Sequence, residues 1–391
     1  MSEIVQFPGR EDQADQSARP RIMFLLKEYP QISQTYIKNE IEALEDDYDI
    51  HIVTRRGPDI AYEDHRPYRT AETLEEFAQA VAEIRPHILH THYLTELRFI
   101  GQLSEMTGIP FTVRTHSFDT VALRKKSIKG RIKQMLKRSK PLERTPWFIE
   151  GIRAMESELC LGVLTFPFSR PWLERMGIDG KKLIDCFPVV RTAAFYDESE
   201  NGDAIMNTGV ATPKKAMPEF LKLAKLVPNE SFRLYAMGYH LDWLKEQDAE
   251  MGSGVEFVEP VQPAAMPAEY KKHRWLVYTG DFDIPTVGWP MAIAEAQASG
   301  VGVCMPRLRP DLAEYVGEGA GYLYDHIEDV VPIVSGPVPD GMRERGFEQA
   351  RKSDIENHKH LLTDLWDRAL DRAGMKSAGH LPTAAPSSVP N

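Results

Sequence analysis

The sequence predicts an α/β protein of two consecutive doubly wound domains, each a parallel sheet covered by helices. Three observations carry this. The chain has 391 residues, more than one hydrophobic core usually organises, and an ordinary 42% of them are apolar. Apolar runs of strand length alternate with amphipathic stretches of helix length, the order that βαβ units impose. The alternation runs through twice, with a break at "DCFPVVRTAAFYD", residues 185–197.

The first series reads as buried strands at "IMFLL" (22–26), "YDIHIVT" (48–54), "HILHTHY" (87–93) and "PFTVRTH" (110–116). Helical patterns near 36–45, 73–84 and 95–107 lie between them. The turn "EYPQISQT" joins the first strand to its helix. In open α/β sheets ligands collect at such turns, because helix N-termini present N–H groups at the carboxyl edge of the sheet. Ser33 and Thr35 there read either as a wall of a site or as helix caps. His90 and His92 alternate on a strand and share a face, as a metal pair or as a structural pair beneath a cleft.

The second series places strands at 204–209, 232–238, 255–260, 275–280 and 301–306, with helices over 216–226, 241–249, 265–271 and 291–299. A last helix is predicted over 346–370, and the Pro, Ser and Ala tail that follows is expected to be disordered. The expected organisation is a flexible 1–19, a first domain over 20–190, a second over 191–355, a crossover helix over 356–375 and a tail over 376–391.

Composition removes several function classes. A formal charge of -11 argues against nucleic acid as a partner. Cys160, Cys186 and Cys304 have no CxxC spacing, so neither a disulfide framework nor a zinc site is expected, and a reduced, cytoplasmic compartment fits. No apolar run reaches the roughly 18 residues of a membrane span, and the first residues are polar and acidic, unlike a secretory signal. No GxGxxG follows a predicted strand, which disfavours a dinucleotide-dependent dehydrogenase. Inside this acidic chain, residues 123–144 are basic, with Ile128, Ile132, Met135 and Leu136 at helical spacing. Lys125, Lys129, Lys133, Lys137 and Arg138 would suit an anionic membrane surface or a lipid-diphosphate acceptor, or form a solvated basic helix.

Three stretches in order resemble the glycosyltransferases of family 4. "VGWPMAIAEAQASGVGVCMP" (287–306) is similar to their donor-binding segment, where Gly, an aromatic and Pro precede a helix carrying a Glu. "MNTGVATPKKAMPEFLKLAKLVP" (206–228) resembles the segment in which a strand ends in Gly and a loop supplies a cation to the diphosphate. "YPQISQTYIKNEIEALE" (29–45) resembles the opening of members that build exopolysaccharides. The resemblance covers about residues 20–372. It implies the GT-B fold, two Rossmann-like domains facing a central cleft, with the C-terminal helix packing back on the N-terminal domain.

The same resemblance implies transfer of a sugar from a nucleotide diphosphate to a glycan or lipid-linked acceptor, with retention and with no required metal or cofactor. Lys215 matches the diphosphate clamp, and the N–H groups around Met291 and Ala292 would add a helix N-terminus. Glu295 matches the ribose acceptor, Gly238 a strand-end glycine near the nucleoside, and His116 a histidine near the transferred sugar. Ser33, Gln34, Thr35 and His92 would face the acceptor side of the cleft. The departing phosphate can itself take the acceptor's proton, so no dedicated base is required. Two positions depart from the family: Val287 stands where a Glu hydrogen-bonds the sugar, and Val210 where an Arg assists the lysine. Asp281, Asp283 or Lys214 would have to compensate, or the chain is a catalytically silent homologue that binds a glycan or a partner enzyme.

Overall fold

A computed structural model of the chain describes residues 19–116, 146–284 and 287–374. The predicted flexible N-terminus, the basic segment and the Pro-rich tail lie outside these residues. The first sheet has seven parallel strands: β1 Arg21–Glu28, β2 Asp49–Arg56, β3 Tyr68–Thr70, β4 Ile88–His92, β5 Phe111–Arg114, β6 Cys160–Thr165 and β7 Leu183–Asp185. Their spatial order is β3-β2-β1-β4-β5-β6-β7. The second sheet contains β8 Ala204–Val210, β9 Phe232–Met237, β10 Glu256–Phe257, β11 His273–Val277, β12 Gly302–Pro306 and β13 Tyr322–Tyr324, in the order β10-β9-β8-β11-β12-β13. Each sheet is doubly wound, with strand order reversing between β1 and β4 and again between β8 and β11. Such switch points open crevices at the carboxyl edge.

The apolar runs are continuous because both faces of each sheet are covered. In β1, Met23 and Leu25 enter one core with Val53, Phe77 and Phe111, while Ile22, Phe24 and Leu26 enter another with Ile41, Ile52 and Leu164. The second sheet repeats the arrangement: Ile205 and Leu234 share a core on one side, Met206 and Leu276 on the other. The longer helices are α1 Thr35–Leu44, α2 Leu74–Ile84, α3 Leu97–Thr107, α4 Pro146–Glu156, α5 Pro218–Leu226, α6 Leu241–Met251, α7 Met291–Ala298, α8 Met342–Ala350 and α9 His360–Arg372. α2 starts at a reciprocal capping box between Thr73 and Glu76, and α3 stops at Gly108, whose φ of 69° a glycine adopts without strain.

Four strands were not expected from the sequence. β3, β7 and β13 are three-residue edge strands without the sustained apolar run of an internal strand. β6 is internal, but Gly162 interrupts its pattern. A Cβ at Gly162 would lie 2.7 Å from Leu365 Cδ1, so the strand has no side chain where α9 packs on it.

The single helix predicted over 346–370 is broken into α8, a short turn at Ile355–His358, and α9. The backbone is pinned between them. Val190 N donates to Ser353 O at 2.9 Å and Ile355 N to Val190 O at 2.8 Å, so the outgoing and returning crossings between the domains bind each other. Beyond this bridge, α9 packs on the first domain, as expected. Leu362, Leu365, Trp366 and Leu370 join Ile22, Phe24 and Leu164 in one core, and Tyr48 OH donates to Asp367 at 2.7 Å.

Candidate functional site

A cleft of about 800 Å³ lies between the two sheets. Its walls are the turns that leave the carboxyl ends of strands in both domains. From the first come Ser33, Gln34 and Thr35 after β1, Tyr93 after β4 and His116 after β5; from the second come Gly209 and Lys215 by β8, Met237 at the end of β9 and Tyr278 after β11. The 287–292 turn and Glu295 complete it. The structure thus brings together Ser33, Gln34, Thr35, His116, Lys215, Met291, Ala292 and Glu295.

The opening turn faces this cleft. α1 begins at Thr35 with Gln34 as its cap residue, yet Gln34 makes no side-chain capping bond and its amide reaches Glu28 at 3.2 Å. Thr35 Oγ1 stands 4.0 Å from Met291 Sδ on the opposite domain. The turn is a wall, and capping does not explain its polar residues.

Lys215 is the last residue of a Pro-led 3₁₀ turn, Pro213–Lys215, in the loop from β8 to α5. Thr279 Oγ1 holds its carbonyl at 2.6 Å and is itself held by Asn207 Nδ2 at 3.0 Å. The ammonium lies 3.4 Å from Thr208 O and 4.5 Å from the centre of the Tyr278 ring. No carboxylate among the described residues comes within ion-pairing distance of it. Gly209 makes room for the side chain: its φ is 135°, and a Cβ there would stand 2.2 Å from Lys215 Nζ. Burial lowers the Lys215 pKa to about 8, against a raising influence of Glu295.

Glu295 occupies the second turn of α7. Burial raises its pKa to about 7, opposed by the hydrogen bond from Tyr270 OH at 2.8 Å and by Lys215. The start of α7 is bracketed by aromatic and charged groups. Trp289 stacks on Tyr315 with ring centres 5.0 Å apart, and its Nε1 donates to Asp311 at 2.9 Å. Arg309 donates to Asp311 through Nε and Nη2, both at 2.9 Å, and through Nη1 to the Val287 carbonyl. This bracket presents the N-terminus of α7 to the cleft.

The two departures from the family pattern are both apolar wall. Val287 is buried among Tyr278, Trp289 and Ile293 and lines the cleft. Val210 lines it too and packs on Gly238, where a Cβ would lie 2.8 Å from Val210 Cγ1. Gly238 itself, with φ 100°, does not line the cleft; its neighbour Met237 does. Of the candidate compensating residues, Lys214 lines the cleft, but Asp281 accepts from the N–H groups of Asp283 and Ile284 in its own turn, and neither Asp281 nor Asp283 lines the cleft.

Beneath His116 lies a buried polar cluster. His116 is sandwiched between Tyr36 and Tyr93, at 4.4 and 4.5 Å between ring centres, and its Nε2 is 3.0 Å from His92 Nδ1. Burial, then the Arg114 charge, lowers the His116 pKa to about 3, so the ring is neutral. His90 and His92 are buried with Glu40, and one ligand atom from each of the three lies within 4.8 Å of the others, a spacing a metal ion could use. The donor set argues for another arrangement. Arg114 Nε is 2.5 Å from Glu40 Oε2, and a divalent ion would stand against that buried guanidinium. The histidine pair reads as part of a hydrogen-bonded cluster under the cleft. Glu40 and Arg114 were not singled out from sequence; their signal was a Glu inside an amphipathic helix and an Arg two residues before His116.

No family model and no curated protein matches the chain. Solved structures do. Sucrose-phosphate synthase from Thermosynechococcus elongatus aligns with a TM-score of 0.67 at 16% identity, over 91% of this chain and all of that one. Anabaena Alr3699/HepE, solved in complex with UDP, aligns with a TM-score of 0.66 at 14% identity, over 89% of this chain and all of that one. The lipopolysaccharide outer core galactosyltransferase WaaB aligns with a TM-score of 0.56 at 13% identity, over 90% and 99% of the two chains. At these identities the likeness shows the fold. The chain has the GT-B fold of these glycosyltransferase structures, with two Rossmann-like domains facing one cleft.

Proposed function

We propose that the chain is a glycosyltransferase of the family 4 type, which moves a sugar from a nucleotide diphosphate to a glycan or lipid-linked acceptor in the building of a cell-surface polysaccharide or glycolipid. One observation carries the proposal: a half-buried lysine ammonium lines the cleft with no carboxylate among the described residues within ion-pairing distance, close to a helix N-terminus. Such a place attracts a polyanion, and a diphosphate leaving group needs its developing charge stabilised there. Lys215 clamps the diphosphate, Met291 and Ala292 offer the helix end, and Glu295 accepts from the ribose. Gly238 keeps the end of β9 narrow enough for the nucleoside, and His116 positions the transferred sugar. Ser33, Gln34 and Thr35 meet the acceptor. The reaction retains anomeric configuration, the leaving phosphate takes the acceptor proton, and the cations of the chain do the work that a metal does elsewhere. HepE has been solved with UDP, with UDP and glucose, and with UDP-glucose, which supports a nucleotide sugar as the ligand class here. The site of action is the cytoplasmic face of a membrane, with the basic segment at the lipid surface.

A second reading has its own observation. Val287 puts a buried apolar wall where the family reads sugar hydroxyls, which fits a silent homologue that binds a glycan or a partner enzyme. Calorimetry against uridine, guanosine and thymidine diphosphate sugars separates the two. Binding of one donor, weakened about 10- to 100-fold by Lys215→Ala, is the expected result, since a charge-assisted hydrogen bond contributes about 1.5–3 kcal/mol. A folded protein that binds no donor at millimolar concentration would favour the silent homologue.

A further inference from the structure

The cleft changes character along its wall. Ser33, Gln34 and His116 make one stretch of it polar. Where α7 begins, the wall is apolar and comes from both domains. Phe166 follows β6 and Phe187 lies just beyond β7, and their ring centres stand 5.7 and 4.9 Å from that of Trp289 in the second domain. Val287 shares a core with Phe166 and Trp289, and all four side chains line the cleft.

The polar atoms behind this wall are turned onto one another. Trp289 Nε1 and Arg309 both donate to Asp311, and Arg309 also donates to the Val287 carbonyl. The Arg309 guanidinium stands 4.4 Å from the centre of the Phe168 ring. Tyr315 OH donates to the Pro290 carbonyl at 2.6 Å. Val287, Trp289, Phe166 and Phe187 therefore present hydrocarbon to a ligand, since the one polar side-chain atom among them is bound to Asp311.

Position tells what meets this surface. Residues 287–290 form the turn into α7, and Met291 and Ala292 at the start of that helix line the cleft with Lys215. The Lys215 ammonium lies over the Tyr278 ring, and Tyr278 packs in the same core as Val287. A diphosphate held by Lys215 and the end of α7 thus carries its substituents past the turn. Glu295, which accepts from the ribose, is one turn further into α7, so the nucleoside lies toward the helix and the sugar toward Val287. A sugar hydroxyl pressed on this surface would lose water without gaining a partner, whereas a methyl group gains by leaving water.

We infer that the donor taken by this cleft carries a methyl group on its sugar, as an N-acetyl or a 6-deoxy substituent, and that Val287, with Trp289, Phe166 and Phe187, is the surface that selects it. The inference rests on the transferase reading, because it places a nucleotide sugar in the cleft. Val287 then marks a change of substrate and not a loss of function.

The test is titration calorimetry of the full chain with donors that share a nucleotide and differ in the methyl group. UDP-glucose is set against UDP-N-acetylglucosamine and UDP-6-deoxyglucose, with the galacto counterparts of all three. GDP-mannose is set against GDP-6-deoxymannose, and dTDP-glucose against dTDP-6-deoxyglucose. In the set that binds, a methyl-bearing member is expected to bind at least about tenfold more tightly than the plain sugar, the discrimination an apolar pocket achieves for one such group. A preference confined to N-acetyl or to 6-deoxy donors identifies which substituent the wall receives. Equal affinities, or tighter binding of the plain sugar, would overturn the inference and leave the transferase reading standing. Val287→Thr keeps the shape of the side chain and adds a hydroxyl, and should narrow the preference severalfold. Phe187→Ala, at a half-buried position, should do the same, and decides the matter if Val287→Thr does not fold. An unchanged preference in the folded variants would reject this wall as the selecting surface. A folded protein that binds no member of any set would sink the transferase reading, and this inference with it.

Discussion

At the residue scale, the cleft holds two groups whose charged forms burial penalises. Lys215 titrates at about 8 and Glu295 at about 7, so both are charged together only in a narrow window. Donor binding should follow: affinity rises as Glu295 ionises through pH 7, and falls as Lys215 loses its proton above pH 8. Titration calorimetry across pH 6–9 reads this, and a flat profile would separate binding from the pair. The same values bear on stability. The raised pKa of Glu295 means that its contribution is fully present below pH 4.5 and is lost as pH rises through 7. Glu295→Gln should therefore stabilise the free protein at pH 8, by on the order of 2 kcal/mol, with the gain shrinking as pH falls toward 4.5. Thermal melts at the two pH values check the sign. Lys215 has the opposite dependence: its lowered pKa gives a contribution present above pH 10.5 and lost as pH falls through 8. Both charges are kept at a cost to the fold. That pattern belongs to a binding site more than to a core.

At the element scale, two strand ends carry glycines with different work. Gly209 clears the path of the Lys215 side chain, and Gly238 lets β9 turn against Val210. Gly209→Ala should displace the ammonium and weaken donor binding, whereas Gly238→Ala should cost about 1–2 kcal/mol of stability through its left-handed backbone. Paired melts and binding measurements distinguish the two effects. The crossover helix α9 is the other decisive element. Trp366 is fully buried and closes the core between β1 and α9 while donating to Thr112. Trp366→Ala should cost about 3–5 kcal/mol, visible as a lowered midpoint in denaturant. A much smaller loss would mean that α9 is dispensable to the first domain.

At the scale of the whole molecule, two chain crossings join the domains and are hydrogen-bonded to each other, Val190 to Ser353 and Ile355. Across the cleft, Asn39 donates to Val189 O at 3.0 Å and Arg191 pairs with Glu42 at 2.5 Å, so α1 is held to the linker. The proposed membrane contact also belongs at this scale. No helix among the described residues is long and apolar enough to cross a membrane; the contact proposed for the basic segment is one of charge. Neutralising Lys133, Lys137 and Arg138 together should weaken sedimentation with anionic vesicles, at about 1 kcal/mol per basic residue, and raised salt should mimic the change. Undiminished sedimentation would reject that surface.

The alternation of apolar runs and amphipathic stretches determined the two doubly wound sheets, because strands covered on both faces must be apolar throughout. It also determined the order of the polar turns, and the strand-to-helix turn at 33–35 could be placed at a carboxyl edge by that logic alone. Edge strands such as β3, β7 and β13 escaped it, since so few residues leave no periodic signal. What only the tertiary structure decided was proximity. Residues 40, 92, 114 and 116 meet because parallel strands β4 and β5 are neighbours under α1, and local sequence records no such pairing. The break near residue 354 was likewise set from outside, by a backbone bridge to Val190 that stopped a pattern of good helical residues. The same is true of charge. Lys215 looks like any surface lysine in sequence, and only the walls around it, with no carboxylate among the described residues in ion-pairing range, make it a cation in want of an anion.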